Sequence, residues 1–519
     1  MKIKTIVDAL DAKVISGRAG LDADLSSIEF DSRMVAPSGN SGPLFIAVPG
    51  EHVDGQKYVK KAVERGAACV LARKATDGID VTQIIVDDVR RAMSRASDVF
   101  YGEPTKKLIT VGVTGTNGKT TTTYLIESIF KAAGFTPGVL GTINYRWGGV
   151  SKDASHTTPE APVLQSILRQ MLDAGVTHAI MEVSSHSLEQ KRVNDCRFNA
   201  AVFTNLTHDH LDYHKTMEKY FESKAILFRT LLKETHGFSI LNIDDQWGRV
   251  LKKELTGAIT YSLGKGAAVH PKYYELKGNI RAAVATPAGQ LNVDSPLVGE
   301  YNLQNILAAV ATAYSLGIEN EAITAGINGL KAVPGRLQKI SVSGKVRFAA
   351  FVDYAHTDDA LMRAIGAVKE ATRGRVITVF GCGGNRDKTK RPKMGSVSAR
   401  LSNISIITSD NPRDEDPVQI LREVEAGMND VKKLAQAGRA DDDGYLVIED
   451  RGEAIKKAIE LARTDDAVLV AGKGHENYQI IKGHKSHFDD IEALRSAIAD
   501  RYGAAAIVES RNFTEARNN

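Results

Sequence analysis

The segment spanning residues 108–123, LITVGVTGTNGKTTTT, contains residue types suited to binding phosphate groups. Gly115 and Gly118 permit a sharp turn whose backbone N–H groups can approach an anion, and a helix beginning near Lys119 adds the positive end of its dipole. Lys119 supplies a point charge for outer phosphates, and the hydroxyl of Thr120 can bind Mg²⁺. The segment therefore predicts a phosphate-binding loop.

The spacing of this loop differs from the standard P-loop. Gly112 precedes the Gly118-Lys119 pair by one residue more than GxxxxGK[ST] allows, so the relevant pattern is the tighter GTNGKT form. A Gly-Lys-Thr sequence after an apolar run could also be an ordinary strand-to-helix turn. Two glycines, a lysine and four threonines after a buried strand favour phosphate binding.

Two further segments, THAIMEVSS and FNAAVFTNL, read as buried strands that end in polar residues. In open α/β sheets ligands bind at the carboxyl ends of strands, so these side chains could converge on the phosphate loop. They are Glu182, Ser184, His186, Asn205, His208, Asp209 and His210. Taken alone, residues 207–214 (THDHLDYH) could be a zinc site, a catalytic loop or a capped helix start. Their place downstream of a phosphate loop favours Mg²⁺ and a nucleotide.

Other candidate positions have two interpretations each. Lys224 lies in a helical pattern, YFESKAILF, where a solvated lysine is the ordinary interpretation. Asn302 and Asn305 share one helix face by their spacing and could be helix caps or nucleotide contacts. The polar cluster 31–33 and the glycine-bounded loop 50–55 suit either a polar ligand or turn chemistry alone.

Charged residues also follow the strands of the last third of the chain. Opposite charges on one rim of one sheet would suit a zwitterion such as an amino acid. The residues are Asp353 and His356, Asn385 and Arg386, Asp410 to Arg413, and Lys473, His475 and Glu476. The glycine-rich turn at 381–384 fails the GxGxxG spacing, which argues against a dinucleotide site.

The elements that must position these residues indicate an α/β protein. At 519 residues the chain exceeds one ordinary core, and a length of about 150 residues per domain suggests three domains. We expect a small α/β N-terminal domain at 1–107, a central P-loop-type domain with a mostly parallel sheet and helices at 108–336, and a Rossmann-like C-terminal domain at 337–519. The polar tail after Ala506 is a candidate for disorder.

Composition argues against several classes of function. The formal net charge of +4 is small for this length and implies no nucleic-acid partner. The N-terminus has no apolar signal region and no later run approaches about 18 apolar residues, so no membrane partner is expected. Three cysteines, Cys69, Cys196 and Cys382, lie far apart without metal-ligand spacing and fit a reduced cytoplasmic compartment.

An ordered set of motifs resembles those of the Mur ligases, ATP-dependent cytoplasmic ligases that extend the peptidoglycan stem peptide. The motifs cover nearly the full chain and are GTNGKTT, MEVSSH, NLTHDHLDYH, the Gly-x-x-Asn-x-x-Asn helix start, Pro-Gly-Arg, DYAH and GKGHE. Within the family, DSR, FIAVPGEHVDG, TTPEA and DNPR followed by EDP resemble the branch that adds meso-2,6-diaminopimelate. Lysine-adding forms usually change the arginine of DNPR.

The resemblance implies a reaction that uses ATP and Mg²⁺. The terminal carboxylate of D-glutamate in UDP-MurNAc-L-Ala-D-Glu would attack the γ-phosphorus, and the amine of diaminopimelate would then attack the acyl phosphate. Closure of the third domain onto the second would align the reactants and exclude water. We expect a cytoplasmic monomer.

The resemblance also implies roles for individual residues. The implied catalytic residues are Lys119, Glu182, His210 and Lys224, and the implied metal ligands are Thr120, Glu182, His210 and Lys224 as a CO₂-derived carbamate. The implied ATP-binding residues are Gly115, Thr116, Asn117, Gly118, Lys119, Thr120, Thr121, Asn302, Arg336 and Asp353. The implied contacts to UDP-MurNAc-dipeptide are Ser32, Thr157, Thr158, Ser184, Gln190 and Arg192. The implied diaminopimelate site comprises Arg386, Asp410, Asn411, Pro412, Arg413, Gly472 and Glu476.

In these roles, Lys224 would no longer be a solvated lysine, because CO₂ turns its cation into an anion that a metal site can use. Arg413 would grip the distal carboxylate of diaminopimelate with two hydrogen bonds, which a lysine substrate could not offer. Two positions depart from the family pattern: His208, where relatives often carry arginine, and the Glu51-His52-Val53 loop.

Three alternatives remain at this point. A ligase with another acceptor is disfavoured by DNPR and the N-terminal domain. A binding protein that has lost turnover is disfavoured because Lys119, Glu182, His210 and Lys224 are all present. A P-loop motor is disfavoured because its second-strand aspartate pattern is absent from the sequence.

Overall fold

The computed structural model describes residues 1–18, 20–39, 41–50, 53–429, 431–434 and 443–508. These residues form a mixed α/β protein with mostly parallel sheets, as predicted. The expectation for the polar tail falls largely on residues 509–519, and the departure at Glu51-His52 falls on residues 51–52. Both lie outside the described residues.

The α-helices of the described residues are, in chain order, α1 (Ile3–Asp8), α2 (Val59–Glu64), α3 (Val89–Phe100), α4 (Lys119–Ala132), α5 (Ala161–Asp173), α6 (Ser185–Glu189), α7 (Leu211–His214), α8 (Met217–Ile226), α9 (Gln246–Glu254), α10 (Glu300–Ser315), α11 (Asn320–Gly329), α12 (Asp358–Ala371), α13 (Lys390–Leu401), α14 (Pro417–Glu425), α15 (Arg451–Leu461) and α16 (Asp490–Tyr502).

The strands of the same residues are β1 (Lys13–Ile15), β2 (Leu25–Glu29), β3 (Gly42–Ile46), β4 (Cys69–Ala72), β5 (Thr82–Ile85), β6 (Ile109–Thr114), β7 (Pro137–Leu140), β8 (Asn144–Trp147), β9 (Val150–Asp153), β10 (His178–Glu182), β11 (Ala200–Phe203), β12 (Phe238–Asn242), β13 (Ile259–Tyr261), β14 (His270–Glu275), β15 (Ile280–Thr286), β16 (Gly289–Ser295), β17 (Gln338–Lys339), β18 (Ala349–Asp353), β19 (Val376–Phe380), β20 (Ile404–Ile407), β21 (Gly444–Val447), β22 (Ala467–Ala471), β23 (Tyr478–Ile481) and β24 (His484–His487).

Contacts divide the chain into two compact units. The first comprises Met1–Gly115, Phe130–Thr204 and Thr216–Ile259, and the second comprises Thr116–Ile129, Asn205–Lys215 and Thr260–Asn519. The chain crosses from the first unit to the second inside the predicted phosphate loop. The division into three domains stays a prediction.

The first unit contains two sheets. One has the order β1-β5-β4-β3-β2, in which β2 to β5 run parallel and β1 pairs antiparallel. The other runs β12-β11-β6-β10-β7-β8-β9, parallel from β12 to β7 and antiparallel through β8 and β9. Glu182 pairs with Val113 and Phe203 with Thr114, so β10, β11 and β6 end at the same edge. This edge is where polar side chains were expected.

The second unit contains a sheet with the order β17-β18-β22-β19-β20-β21. Its strands from β18 to β21 are parallel, and β17 is antiparallel. Every residue of β19, β20 and β22 is buried, because apolar clusters cover both faces of the sheet. Parallel strands covered on both sides require such continuous apolar runs. A separate antiparallel sheet has the order β14-β15-β16.

Two expectations about the chain as a whole can be compared with the structure. Cys69, Cys196 and Cys382, which the sequence showed without metal-ligand spacing, are free and buried. No helix among the described residues combines the length and apolar character that a bilayer crossing requires.

Close packing of helix α11 provides a test of this fold. A Cβ atom at Gly326 would lie 2.4 Å from the Cα atom of Ile129, whereas one at Gly329 would meet no atom within 4 Å. We expect Gly326→Ala to lower the free energy of unfolding by about 1–3 kcal/mol through overpacking. Gly329→Ala should leave it unchanged or raise it by up to about 1 kcal/mol. Urea unfolding followed by circular dichroism measures both, and equal losses would contradict the packing.

Candidate active site

The part of the phosphate loop in the second unit is held by residues that follow strand β11. The backbone N–H of Thr116 donates to the carbonyl of Asn205 at 2.8 Å, and the N–H of Asn117 donates to the Asn205 side-chain oxygen at 3.0 Å. The Thr116 hydroxyl accepts from the N–H of Thr207 at 3.0 Å. Asn205 therefore lies against the loop, as its position at a strand end predicted.

Position 118 requires a glycine for two reasons, its backbone conformation and the close approach of Asn305. Its φ of +87° lies in the region that favours glycine, and a Cβ atom would lie 2.4 Å from the side-chain oxygen of Asn305. The Asn305 amide donates to the side-chain oxygen of Asn302 at 3.0 Å, and the Asn302 amide donates to the carbonyl of Val298 at 2.8 Å. The asparagines predicted on one face of α10 thus support the loop from that helix.

Lys119 and Thr120 begin helix α4, and the side chain of each has a hydrogen-bond partner. The Lys119 ammonium donates to the carbonyl of Thr116 at 2.8 Å, which holds its charge over the loop. The Arg336 guanidinium donates to the Thr120 hydroxyl at 3.2 Å and lies 4.5 Å above the ring of Tyr354. The predicted nucleotide residues Arg336 and Thr120 are therefore in contact. Thr121, the next predicted position, is also buried.

Asp353 ends strand β18 with both carboxylate oxygens occupied. They accept from the N–H of Leu337 at 2.5 Å and the N–H of Ala355 at 2.8 Å. Burial raises the pKa of Asp353, while the charge of Arg336 and these two hydrogen bonds oppose that rise. The carboxylate thus anchors the turn 334–336, which carries Arg336.

The His208-Asp209-His210 segment is less buried than a preformed metal site would be. His210 is 47% exposed, has a φ of +53°, and its Nε2 lies 3.5 Å from the Asp209 carboxylate. Burial would raise the pKa of Asp209, but the facing His210 and His356 hold it below its usual value. No group of three or more His, Cys, Asp or Glu side chains in the described residues is arranged to hold a metal. Mg²⁺ accepts few protein ligands and completes its shell with water and phosphate oxygens, so a sparse oxygen donor set fits it.

Lys224 lies in the first unit, and its side chain is buried there, in contrast to its interpretation as a solvated lysine. Its side chain is 1% exposed, its ammonium donates to the carbonyl of Gly115 at 3.0 Å, and it lies 4.6 Å above the ring of Tyr220. The interpretation as a solvated lysine is therefore wrong. Helix α8 is buried on more than one face, which the pattern YFESKAILF does not reveal.

Glu182, at the end of β10, is also buried, with 1% exposure. Its two carboxylate oxygens accept from the backbone N–H of Thr142 at 3.0 Å and the Thr142 hydroxyl at 2.8 Å. A Cβ atom at Gly141 would lie 2.5 Å from one of them. Gly141 and Thr142 were missed from the sequence, although they follow strand β7 at the same edge of the sheet, and that position was the available signal.

Five residues predicted to contact a sugar-nucleotide substrate form one hydrogen-bonded network in the first unit. The Thr158 hydroxyl donates to the carbonyl of Glu182 at 2.7 Å and accepts from the N–H of Ser184 at 3.1 Å. Arg192 donates to the carbonyl of Thr158 at 2.8 Å and to the Gln190 side chain at 2.7 Å. The hydroxyls of Thr157 and Thr142 are 3.1 Å apart, which joins the network to Glu182. Among the described residues no hydrogen bond links Ser32 to this network.

In the second unit, buried charges meet at the ends of β20 and β22. The Lys473 ammonium is fully buried, 3.5 Å from the Asp410 carboxylate and 3.3 Å from the Asn411 side-chain oxygen. The Asn411 amide donates to Glu476 at 2.9 Å. Burial, together with Asp410, raises the pKa of Glu476, and burial lowers the pKa of Lys473. The predicted neighbours Asp410, Asn411 and Glu476 thus lie together around the internal Lys473, and their role in binding an amino acid stays a prediction.

The glycine-rich turn at 381–384 has a steric explanation. A Cβ atom at Gly383 would lie 2.9 Å from the Arg413 guanidinium, and one at Gly384 would lie 1.9 Å from the carbonyl of Pro412. Arg413 donates to the carbonyl of Gly384 at 2.6 Å. The glycines therefore let the 410–413 loop approach the turn closely. Arg386 follows the same turn and is exposed.

A fully buried arginine, Arg391, supports this turn and was missed from the sequence. It donates to both carboxylate oxygens of Glu415 at 3.0 Å, to Glu423 at 2.7 Å and to the carbonyl of Gly383 at 3.3 Å. Arg391 is the second residue of helix α13 and belongs to none of the motifs described above, so only its contacts reveal its role.

Comparison with known proteins agrees with this geometry. Three family models match the chain: "Mur ligase family, catalytic domain" at residues 25–101, "Mur ligase middle domain" at 113–313 and "Mur ligase, glutamate ligase domain" at 335–474. A solved structure of UDP-N-acetylmuramoyl-L-alanyl-D-glutamate--2,6-diaminopimelate ligase is similar with a TM-score of 0.67 and 32% identity, covering 96% of this chain and 99% of that one.

Relatives with the same name extend the similarity. The protein from Gloeobacter violaceus is 45% identical over 485 residues, covering 92% of this chain and 95% of its own. The protein from Geobacter metallireducens is 43% identical over 515 residues, covering 96% of this chain and 99% of its own. This chain therefore belongs to the Mur ligase family.

Two glycines near helix α4 test the phosphate loop. Gly118 and Gly134 both have positive φ, but only a Cβ atom at Gly118 would meet another atom, Asn305 Oδ1, within 4 Å. We expect Gly118→Ala to weaken ATP binding by at least about tenfold, because the loop must move away from Asn305. Gly134→Ala should lose only about 1–2 kcal/mol of stability from backbone strain. Calorimetric titration with ATP distinguishes them, and unchanged affinity in Gly118→Ala would refute the assignment of this loop.

Proposed function

We propose that this chain is an ATP-dependent ligase that adds meso-2,6-diaminopimelate to UDP-MurNAc-L-Ala-D-Glu in peptidoglycan synthesis. The observation that carries the proposal is the near full-length similarity to diaminopimelate ligases, at 45% identity over 485 residues for the relative from Gloeobacter violaceus. The reaction forms an amide bond and releases ADP and phosphate. It would take place in the cytoplasm, with the protein as a monomer.

The phosphate loop, residues 115–121, would bind ATP. A carboxylate is a poor electrophile, so it must first be phosphorylated to an acyl phosphate. Lys119, held over the loop by the carbonyl of Thr116, would offset the charge on the transferring phosphoryl group. Asn302, Arg336 and Asp353 would complete the nucleotide side, a role supported by the contact of Arg336 with Thr120.

Mg²⁺ would be held by Thr120, Glu182, His210 and Lys224, and it would supply Lewis-acid stabilisation of phosphate charge. Lys224 fits this role only as a carbamate, because a buried ammonium would repel the metal. The burial of Lys224 and its hydrogen bond to the Gly115 carbonyl support this lysine as the one that carries the carbamate. Glu182 would serve as an anionic ligand whose direction is set by the backbone and hydroxyl of Thr142.

The network of Thr157, Thr158, Ser184, Gln190 and Arg192 would bind UDP-MurNAc-L-Ala-D-Glu, together with Ser32. Its support is the continuity of the network with Glu182, which would bring the substrate carboxylate toward the metal. Hydroxyl and guanidinium donors match the carboxylate and phosphate groups of this substrate.

The rim of Arg386, Asp410, Asn411, Pro412, Arg413, Gly472 and Glu476 would bind diaminopimelate. The buried acidic groups suit its ammonium, and Arg413 suits its distal carboxylate. One donor of Arg413 is used by the carbonyl of Gly384, which would set the orientation of the remaining donors. We also propose three domains, at 1–107, 108–336 and 337–519, with closure of the third onto the second during turnover.

Phosphate release tests this function. The purified protein with ATP, Mg²⁺ and UDP-MurNAc-L-Ala-D-Glu should release phosphate only when meso-diaminopimelate is added, and mass spectrometry should find the heavier product. Phosphate release with L-lysine instead would support the ligase function but contradict diaminopimelate as its amine substrate. The absence of phosphate release with either amine would favour a binding protein without catalytic turnover.

Substitution of Arg413 tests the choice of amino acid. We expect Arg413→Lys to raise the KM for diaminopimelate by about tenfold or more, because one ammonium cannot replace a bidentate guanidinium–carboxylate contact. The KM for ATP, measured in the same assay, serves as the internal control and should stay within about twofold. An unchanged KM for diaminopimelate would assign the distal carboxylate to another residue.

A further inference from the structure

A fully buried ion pair, Arg451 with Asp490, lies beneath the rim that carries Asp410 and Gly472. Arg451 is the first residue of α15 and Asp490 is the first residue of α16. Both side chains are 0% exposed. The Arg451 Nε donates to one Asp490 oxygen at 2.7 Å and Nη2 donates to the other at 2.7 Å, which is a bidentate contact.

The remaining donors of Arg451 reach two backbone carbonyls. Nη2 donates to the carbonyl of Ala471 at 3.0 Å, and Nη1 lies 3.4 Å from the carbonyl of Ser409. Ala471 is the last residue of β22, and Ser409 follows β20. One planar guanidinium therefore ties together the ends of two strands that are not neighbours in the sheet, since β19 lies between them.

The residues after these two carbonyls belong to the proposed amino-acid site. Gly472 follows Ala471 and has a φ of +121°, and a Cβ atom on it would lie 3.5 Å from the Asp410 carboxylate and 3.8 Å from Arg451 Nη2. Asp410 follows Ser409, and its carbonyl accepts from the Gln479 amide at 2.8 Å. A shift of either strand end would therefore move Asp410 relative to Gly472.

Charge gives a second link between the pair and the rim. Burial alone would lower the pKa of Arg451, but Asp490, with Asp410 and Glu476, raises it, so the guanidinium stays charged. Removing its charge would leave Asp490 buried without a counter-ion and would expose Asp410 and Glu476 to stronger mutual repulsion.

Stability alone does not account for this pair. A buried ion pair often contributes no more than well-packed apolar residues of similar volume, because desolvation offsets the attraction. An apolar pair, however, could not donate to the carbonyls of Ala471 and Ser409. The feature that requires an arginine here is the fixed geometry of its several donors.

We propose that Arg451, oriented by Asp490, is a positioning residue that holds Asp410 and Gly472 in register for the incoming amino acid. The proposal rests on the proposed ligase function. It concerns binding of the amine substrate and makes no demand on the phosphate loop.

The chain offers a matched control at the opposite end of the same sheet. Arg375 and Asp466 precede β19 and β22, and they form a similar contact, with Nη2 to the carboxylate at 2.7 Å and Nη2 to the carbonyl of Leu461 at 3.1 Å. This pair has the same chemistry but lies at the amino ends of the strands, away from the rim.

The test compares Arg451→Lys and Asp490→Asn with Arg375→Lys and Asp466→Asn in the full-length protein. We expect the first two variants to raise the KM for diaminopimelate by about tenfold or more, the loss expected for hydrogen bonds of a charged group. Their KM values for ATP and UDP-MurNAc-L-Ala-D-Glu should stay within about twofold. The control variants should lower the unfolding temperature without a selective change in any KM.

Two results would overturn the proposal. One is an unchanged KM for diaminopimelate in Arg451→Lys and Asp490→Asn; the other is an equal rise in the Arg375→Lys and Asp466→Asn controls. Hydrogen exchange of the intact protein provides a readout that needs no turnover. Amides in peptides covering 408–411 and 470–474 should exchange faster in Arg451→Lys than in wild type, and unchanged exchange there would also refute the proposal.

The KM measurements and the hydrogen-exchange measurement together distinguish failure of this proposal from failure of the proposed function. If wild-type protein shows no turnover with any amine, the ligase function fails while the exchange measurement still decides whether Arg451 holds the strand ends. If wild type turns over and only the KM prediction fails, the function stands and Arg451 has no positioning role.

Discussion

Charged and polar groups buried at the carboxyl ends of parallel strands constrain the rest of this structure. Each such group must find a partner, because an unpaired buried charge costs several kcal/mol, of the order of 3–5 for a broken pair. Glu182 is matched by the backbone and hydroxyl of Thr142, and Asp410 lies beside Lys473. These pairings determine which loop lies beside which strand end. The sheet edges where these buried polar groups lie are therefore the edges where charged and polar groups of a substrate could be bound.

Glycines at these edges serve close approach more than flexibility. Gly118 admits Asn305 beside the phosphate loop, and Gly384 admits the carbonyl of Pro412 beside the amino-acid rim. In both places the glycine lets two segments distant in sequence meet without a side chain between them. The shape of both edges thus depends on the close approach of backbone segments as well as on the charged side chains that the motifs display.

Much of this arrangement could be predicted from the sequence, and there are physical reasons why the rest could not be predicted. Apolar runs ending in polar residues correctly predicted β10, β11 and β18 to β22, because strands covered on both faces leave a continuous apolar signal. Burial of Lys224 could not be predicted from the residue pattern alone, because a helix buried on several faces has no clear periodicity, and only the family resemblance indicated that this lysine is not solvated. Arg451 and Asp490 were missed because a charged residue at a helix start is ordinary at the surface, and only the fold shows that both starts are buried.

The chemistry proposed for the chain is activation of a carboxylate by ATP followed by capture with an amine. The most direct test uses UDP-MurNAc-L-Ala-D-Glu labelled with ¹⁸O in the terminal carboxylate of D-glutamate. If that carboxylate attacks the γ-phosphorus, one labelled oxygen should appear in each phosphate released as the amide forms. Phosphate without label would show that water attacks ATP directly, and it would contradict the acyl-phosphate account.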